Sequence, residues 1–107
     1  MELNQYSVIL VNLDPTLGSE IKKTRPCVIL SPNEMNKYLR TIVIAPMTTN
    51  IKKYPTRVPV RVDNKKGKIA IDQIRTVDRQ RIIRVLDSLS KSEIQKCKEV
   101  LKETFVD

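Results

Sequence analysis

The sequence predicts a mainly β domain of the α+β class, in which a small, mostly antiparallel barrel carries a short helix and a C-terminal amphipathic helix. Two observations lead to this prediction. About five or six short runs of strand length occupy residues 6–86, and one long stretch with helical periodicity follows them. A chain of 107 residues provides one hydrophobic core, so we expect a single domain spanning residues 1–107.

The first three predicted strands are aliphatic runs at residues 6–13, 26–30 and 41–47. The second run is apolar on both faces, which is typical of a central strand. A polar stretch of twelve residues, 14–25, separates the first two runs. A loop of that length in so small a domain is usually functional or disordered.

The remaining predicted strands lie in the second half of the chain. Residues 56–62 alternate between valines and polar or proline residues, and Pro59 on the outward side indicates an edge strand, because proline cannot donate to a ladder. A turn at residues 64–67 precedes a fifth strand at residues 68–74. A further turn near Thr76, Val77 and Asp78 leads to a short strand at residues 81–86.

Two capping boxes predict the two helices. Ser31, followed by Pro32 and Glu34, predicts a short helix over residues 32–38. Ser90 and Glu93 form the second box, which opens a helix over Lys91–Phe105. The apolar residues that recur at helical spacing in this second helix are Ile94, Cys97, Val100, Leu101 and Phe105.

Positive charge is concentrated in the middle of the chain. The protein carries 20 Lys and Arg against 12 Asp and Glu, a net charge of +8. Residues 51–86 hold eleven bases and three acids, so all of the excess lies in this section. A concentrated positive field attracts a polyanion, and nucleic acid is the favoured partner. An acidic protein partner and a merely solvated surface remain open.

Composition excludes several classes of site. The chain has no histidine, which removes His-dependent zinc sites and Ser-His or Cys-His catalysis. Its acids are dispersed, so we expect neither a metal nor another cofactor.

Cys27 and Cys97 lie among apolar neighbours, as buried reduced thiols do. No apolar run is long enough to span a membrane and the first residues are not a signal peptide, so we expect a cytoplasmic protein without membrane contact.

Three places could carry chemistry. Arg25 stands at the mouth of a buried strand, where its guanidinium could grip a phosphate in a bidentate fork or form an internal salt bridge to Glu20 or Asp14. Thr48 and Thr49 end the third strand and could equally be turn residues. The third place is a strand end with Asp72, Gln73 and Arg75, which could form a functional site or merely a surface ion pair.

At these places the chain resembles the MazF/PemK (Kid) family of toxins. The resemblance rests on ordered blocks that cover residues 5–105. The blocks are Asp14-Pro15-Thr16-Leu17-Gly18-Ser19-Glu20, Lys23-Thr24-Arg25-Pro26-Cys27-Val28-Ile29, Ser31-Pro32 with Asn36, Ala45-Pro46-Met47-Thr48-Thr49, Tyr54-Pro55-Thr56, and Asp72-Gln73-Ile74-Arg75-Thr76-Val77-Asp78.

The resemblance implies an SH3-like barrel of the CcdB/PemK kind, a homodimer, and a ribosome-independent endoribonuclease that cuts single-stranded RNA at short sequences. It also implies an acidic antitoxin partner of the MazE type. Arg25 and Thr48 match the family's usual catalytic pair. PemK-type members carry an arginine where this chain has Ala70 and a histidine where it has Ser19. The Arg25/Thr48 pattern therefore fits better than the PemK set.

RNA can be cut without a metal when its own 2′-hydroxyl attacks the phosphate, leaving a 2′,3′-cyclic phosphate and a 5′-hydroxyl. We expect Arg25 to stabilise the phosphorane, Thr48 to orient the phosphate and Glu20 to act as base. The residues expected to read bases are Leu17, Ser19, Glu20, Thr49, Asn50, Asp72 and Gln73. Those expected to hold the RNA backbone are Lys22, Lys23, Lys52, Lys53 and Arg75.

Two other functions remain open at this point. A protein with the same barrel could inhibit DNA gyrase without catalysis, as CcdB toxins do, and would not need Arg25 or Thr48. A nucleic-acid-binding module without catalysis would also explain the charge.

Overall fold

An antiparallel sheet with two α-helices forms the structure, a computed structural model that describes residues 2–13, 24–49 and 53–107. The described strands are β1 Ser7–Asn12, β2 Thr24–Ile29, β3 Thr41–Thr48, β4 Arg57–Val62, β5 Lys65–Ala70, β6 Arg75–Asp78 and β7 Ile82–Ser88. The α-helices are α1 Asn33–Tyr38 and α2 Lys91–Phe105. Two 3-10 turns, Ile71–Gln73 and Arg79–Arg81, precede β6 and β7.

The sheet follows the order β4-β5-β3-β2-β1-β7, and every pairing in it is antiparallel. β3 has two partners along one edge: Thr41 to Ile44 pair with β6, whereas Met47 and Thr48 pair with β5. The 3-10 turn Ile71–Gln73 joins these two partner strands, and the sheet as a whole is curled into a half-barrel. The predicted mainly β fold with a C-terminal helix is confirmed.

Both faces of the curled sheet are packed, because successive side chains of a strand point to opposite faces. One apolar cluster includes Val8 and Val28 of the sheet together with Cys97 and Val100 of α2. The other cluster lies on the opposite face and contains Ile9, Val11, Cys27, Ile29, Ile42 and Ile44. β1 and β2 contribute to both clusters, which explains why their sequences are apolar on both faces.

Most predicted elements agree with the structure. The first three strands and the last one are present with small shifts at their ends, and β4 is an edge strand, as Pro59 indicated. α2 spans Lys91–Phe105 as predicted, and both bonds of its capping box form between Ser90 and Glu93. The two thiols are free and buried. None of the described helices is both long and apolar enough to cross a membrane.

The capping box expected at Ser31 was wrong. α1 begins after Pro32, and no side chain caps it. The Ser31 hydroxyl instead donates to Oδ1 of the buried Asn36 and accepts from the backbone N–H of Val43. A buried amide must find partners, and this need outweighs a helix cap that solvent can replace.

The turns around β5 and β6 also differ from the prediction. Asp63 and Asn64 both have positive φ, which produces a two-residue hairpin turn. β5 therefore starts at Lys65 and ends at Ala70 instead of covering residues 68–74. The turn expected near Thr76 is the strand β6, which pairs with β3. Of the predicted loop at residues 14–25, residues 14–23 lie outside the described part of the chain, and Thr24 and Arg25 belong to β2.

Candidate functional site

Arg25 is the second residue of β2 and precedes the buried part of the strand. It is exposed, while Cys27 and Ile29, which share its orientation by alternation, are fully buried. The backbone of Arg25 pairs with Val11 of β1, and its carbonyl accepts a weak bond from the Cys27 thiol at 3.5 Å. No carboxylate of the described residues forms an ion pair with its guanidinium. Both acids proposed as its internal partners, Asp14 and Glu20, lie outside the described residues.

Thr48 is the last residue of β3, the strand that pairs with β2. β2 and β3 pair Ile29 with Ile44 and Cys27 with Pro46. Extending that register by two residues would set Arg25 opposite Thr48, and alternation directs both side chains to the face of the sheet that carries Cys27 and Ile44. Thr48 is half-buried and Thr49, which follows, is exposed. Arg25 and Thr48 thus lie two residues beyond the last β2–β3 pair, on strands that are neighbours in the sheet.

Arg75 places a second guanidinium on the same face. It is the first residue of β6, it is exposed, and its backbone pairs with Ile44. Burial raises the pKa of the Cys27 thiol to about 12, and the positive charges of Arg25 and then Arg75 oppose that rise. Gln73, also exposed, lies two residues earlier in the 3-10 turn.

Asp72 is held in an internal ion pair. Arg57 donates through Nε to Asp72 Oδ1 at 2.9 Å and through Nη2 to Oδ2 at 3.3 Å, and the Thr56 hydroxyl donates to Oδ1 at 2.9 Å. The hydrogen bond from Arg57 is the main cause that lowers the pKa of Asp72. The Arg57 guanidinium also lies over the ring of Tyr54, 5.0 Å from its centroid. Tyr54 itself is 44% exposed.

Sequence reasoning missed Arg57 and Tyr54 as members of this cluster. The alternation of β4 placed Arg57 on the outward side, yet only 12% of its side chain is exposed. A usable signal was present, because Tyr54 and Arg57 are three residues apart and Arg57 pairs with Ala70, two residues before Asp72. That pairing depends on the hairpin register, which was predicted wrongly.

Seven of the predicted site residues lie outside the described part of the chain. They are Leu17, Ser19, Glu20, Lys22, Lys23, Asn50 and Lys52. Lys53 is described and exposed. Among the described residues, no group of three or more cysteine, aspartate or glutamate side chains is placed to hold a metal ion.

Comparisons with known proteins identify the family. Residues 4–105 match the family model described as PemK-like, MazF-like toxin of type II toxin-antitoxin system. The Endoribonuclease MazF of Staphylococcus epidermidis is 37% identical over 98 residues, which cover 86% of this chain and 82% of that protein.

Solved structures share the fold at lower identity. The Mycobacterium tuberculosis toxin MazF-mt6 superposes with a TM-score of 0.79 at 24% identity, covering 92% of this chain and 95% of that one. A chain in a MazE-MazF crystal structure from Deinococcus radiodurans superposes with a TM-score of 0.83 at 23% identity. The match covers 96% of this chain and 95% of that one. The family match and the curated relative, together with this shared fold, show that the chain belongs to the PemK-like, MazF-like toxins of type II toxin-antitoxin systems.

Proposed function

We propose that this protein is a toxin endoribonuclease that cleaves single-stranded RNA at specific short sequences, independently of the ribosome and without a metal ion, and so inhibits translation and growth. The observation that carries the proposal is the exposed Arg25 near the start of β2, in a strand whose register with β3, extended by two residues, leads to Thr48. The identity shared with a curated endoribonuclease supports the same activity.

In the proposed reaction the ribose 2′-hydroxyl loses its proton to a base and its oxygen attacks the adjacent phosphorus. The bond to the 5′-oxygen of the next nucleotide breaks, and that oxygen takes up a proton. The products are a 2′,3′-cyclic phosphate and a 5′-hydroxyl, with no net change in protons. Negative charge grows on the non-bridging oxygens in the transition state, so a guanidinium placed beside them lowers the barrier.

Arg25 is the residue best placed for this electrostatic role. Its side chain is exposed and has no carboxylate partner among the described residues, so its charge is available to a phosphate. Thr48, opposite it, offers a hydroxyl to orient the phosphate, and Arg75 adds positive charge on the same face. Arginine stays protonated at neutral pH, so proton transfer is assigned to another group, with Glu20 as the proposed base.

Base recognition would use the residues that surround this strand end. Thr49 and Gln73 are exposed and carry groups that can donate and accept hydrogen bonds on the edges of unpaired bases. Asp72 would act in part through Arg57, which it holds. Lys53 would contact the RNA backbone, together with Lys22, Lys23 and Lys52. Leu17, Ser19 and Asn50 complete the proposed recognition set.

The proposed partners are a second copy of the chain and an acidic antitoxin of the MazE type. Relatives with the same fold were crystallised as MazE-MazF complexes. The charge of this chain favours such a partner, because all of its excess positive charge lies within residues 51–86.

Cleavage of a labelled single-stranded RNA in excess EDTA tests the proposal. The wild-type protein should cut the RNA, and a single 2′-deoxy substitution at the cut site should abolish cleavage because it removes the nucleophile. Arg25→Ala should lower kcat by about 100- to 1,000-fold, the usual effect of losing one group that stabilises a developing oxyanion. Arg40→Ala, which removes an exposed arginine just before the first residue of β3, is the matched control.

Three results would contradict the proposal. A folded Arg25→Ala variant that retains a tenth or more of the activity would remove Arg25 from the mechanism. Loss of activity in EDTA that added metal restores would show a metal-dependent reaction. Binding without any cleavage by the wild-type protein would show a non-catalytic module.

A further inference from the structure

The outward face of the β4–β5 hairpin carries a group of cations that the proposed mechanism does not use. The two-residue turn at Asp63 and Asn64 pairs Arg61 with Lys66, and Pro59 with Lys68 two residues further from the turn. Arg61 and Lys66 are exposed, whereas Val60 and Val62, which point to the other face, are buried. We call Arg61, Lys66 and Lys68 the hairpin cations.

Arg61 and Lys66 are an unfavourable pair in the isolated chain. In a two-residue hairpin the residues flanking the turn form a hydrogen-bonded pair, so the next pair, Arg61 and Lys66, is non-hydrogen-bonded. Side chains approach each other most closely at such pairs, and like charges directly opposite are destabilising. Neither residue forms an ion pair with any carboxylate that the structure describes.

Glu93, the acid next to this pair, is committed to backbone groups. Its Oε1 accepts from the N–H of Ser90 at 2.8 Å, and its Oε2 accepts from the N–H of Arg61 at 2.8 Å. Those bonds fix the start of α2 and cover the edge of β4. Neither bond involves the side chain of Arg61 or Lys66, so these two cationic groups can contact an external anion.

A groove of about 530 Å³ connects the hairpin cations with the proposed catalytic strand end. All three cations line it, together with Thr48, Thr49 and one carboxylate, that of Glu93. The β3–β5 ladder pairs Thr48 directly with Lys68. Lys66 lies two residues further along β5, about 7 Å away at the usual rise of a strand. An extended chain of phosphates that leaves Thr48 can therefore follow the groove past both lysines.

We propose that the hairpin cations form a second RNA site, which binds the phosphates of nucleotides flanking the cleaved sequence; the proposal rests on the endoribonuclease function proposed above. Continuity with Thr48 and Thr49 favours RNA over an acidic protein as the occupant. The contacts are to phosphates, so this site adds affinity for longer RNA without reading its sequence. It also makes that affinity dependent on salt.

The test compares two RNAs that share one cleavage sequence. One is the shortest oligonucleotide that the wild-type protein cuts, and the other carries unstructured extensions on both sides. At low salt the wild-type protein should cut the extended RNA with the higher kcat/KM. Arg61→Gln/Lys66→Gln should lose that advantage and still cut the short RNA at the wild-type rate. Because each phosphate contact contributes about 0.7 to the salt slope of a single strand, losing two should flatten the slope of log(kcat/KM) against log[salt] by about 1.4.

The matched control is Arg40→Gln/Lys98→Gln, which removes the same two charge types from exposed positions. Arg40 precedes β3 at the end opposite Thr48, and Lys98 lies on α2. The control should keep both the length advantage and the salt slope. Arg61→Gln/Lys66→Gln should melt no lower than the wild type, because it removes a like-charge pair, and this measurement confirms that it folds.

Several outcomes would overturn the second site. The first is a wild-type kcat/KM that is the same for the extended and the short RNA. The second is an Arg61→Gln/Lys66→Gln variant that still cuts the extended RNA with the full wild-type advantage. The third is a variant whose kcat/KM falls by the same factor for both RNAs. A poly-glutamate peptide whose binding needs Arg61 and Lys66, when extended RNA does not, would assign the surface to an acidic protein. If the wild type cuts neither RNA, the endoribonuclease proposal fails by itself. Fluorescence anisotropy with the two RNAs then tests the second site by binding alone. The proposal of that site is wrong if the variant binds the extended RNA as tightly as the wild type does.

Discussion

Substitutions at Arg57 and Asp72 can separate a positioning role of Asp72 from direct contact with RNA. We consider Arg57→Gln, Asp72→Asn and the double variant. Two charge-assisted bonds of 2.9 and 3.3 Å join the side chains, of which 12% and 37% are exposed. Exposed ion pairs contribute about 0.2–1 kcal/mol, and the two-bond geometry with a largely buried Arg57 places this pair near the upper end, at about 1 kcal/mol. That coupling corresponds to a change in Tm of about 4 °C for a domain of this size.

The pH dependence of this coupling has a defined sign. Because the hydrogen bond from Arg57 lowers the pKa of Asp72, the folded protein releases this proton more readily than the unfolded chain does. The stabilisation is therefore fully present above the unfolded pKa of about 3.9, and it decreases as the pH falls through the lower folded value. The coupling should be constant between pH 7 and about pH 5 and should weaken below about pH 4.

Urea unfolding of the four proteins at one fixed protein concentration measures the coupling. Lys96 and Glu99, an exposed pair separated by 3.9 Å, provide the control cycle, and their coupling should be at most a few tenths of a kcal/mol. If the effects of Arg57→Gln and Asp72→Asn add within about 0.3 kcal/mol, the ion pair does not stabilise the fold and the reasoning is wrong.

RNA cleavage by the same proteins then assigns the role of Asp72. If Asp72 acts only by holding Arg57, both single variants and the double variant should lose kcat/KM by a similar factor. If Asp72 contacts RNA directly, Asp72→Asn should reduce kcat/KM further in a protein that already carries Arg57→Gln.

Three further predictions concern the fold. Asn36→Ala removes three hydrogen bonds from a side chain that is 1% exposed, so urea unfolding should show a loss of about 3 kcal/mol; a loss below about 1 kcal/mol would contradict this network. Burial raises the pKa of the Cys27 thiol to about 12, so an alkylating reagent at pH 8 should leave this thiol unmodified until the protein unfolds. Rapid labelling of Cys27 in the folded protein would contradict its burial. Ser90→Ala removes the cap of α2 and should cost about 1 kcal/mol by thermal melting, whereas Ser88→Ala, in an exposed strand position, should cost less.

Local patterns predicted the elements whose structure is decided locally. The capping box of Ser90 and Glu93 and the apolar spacing of α2 were enough to place both ends of that helix. Pro59 was enough to identify an edge strand, because a missing N–H has the same consequence in any sheet. The capping box at Ser31 failed because the buried side chain of Asn36 takes the Ser31 hydroxyl, and that burial depends on the tertiary structure.

The candidate site was predicted unevenly for a similar reason. Arg25 and Thr48 were singled out by resemblance, and the β2–β3 register that leads from one to the other is revealed by no local pattern of either strand. Asp72 was named from the same resemblance, but its tie to Arg57 depends on the hairpin turn at Asp63 and Asn64. The sequence predicted a wider turn, at residues 64–67, and therefore did not predict the ion pair between Arg57 and Asp72.

The change of partner along β3 explains why the candidate residues lie together. If β6 simply continued the register of β5, Arg75 would lie opposite Thr41, at the end of β3 furthest from Thr48. The 3-10 turn takes up three residues, so Arg75 lies opposite Ile44 instead, which is about 10 Å closer to Thr48 at the usual strand rise. Ile71, fully buried at the start of this turn, holds it to Thr56 through a backbone bond of 3.0 Å. The 3-10 turn is thus the feature that brings the second guanidinium toward the proposed catalytic pair.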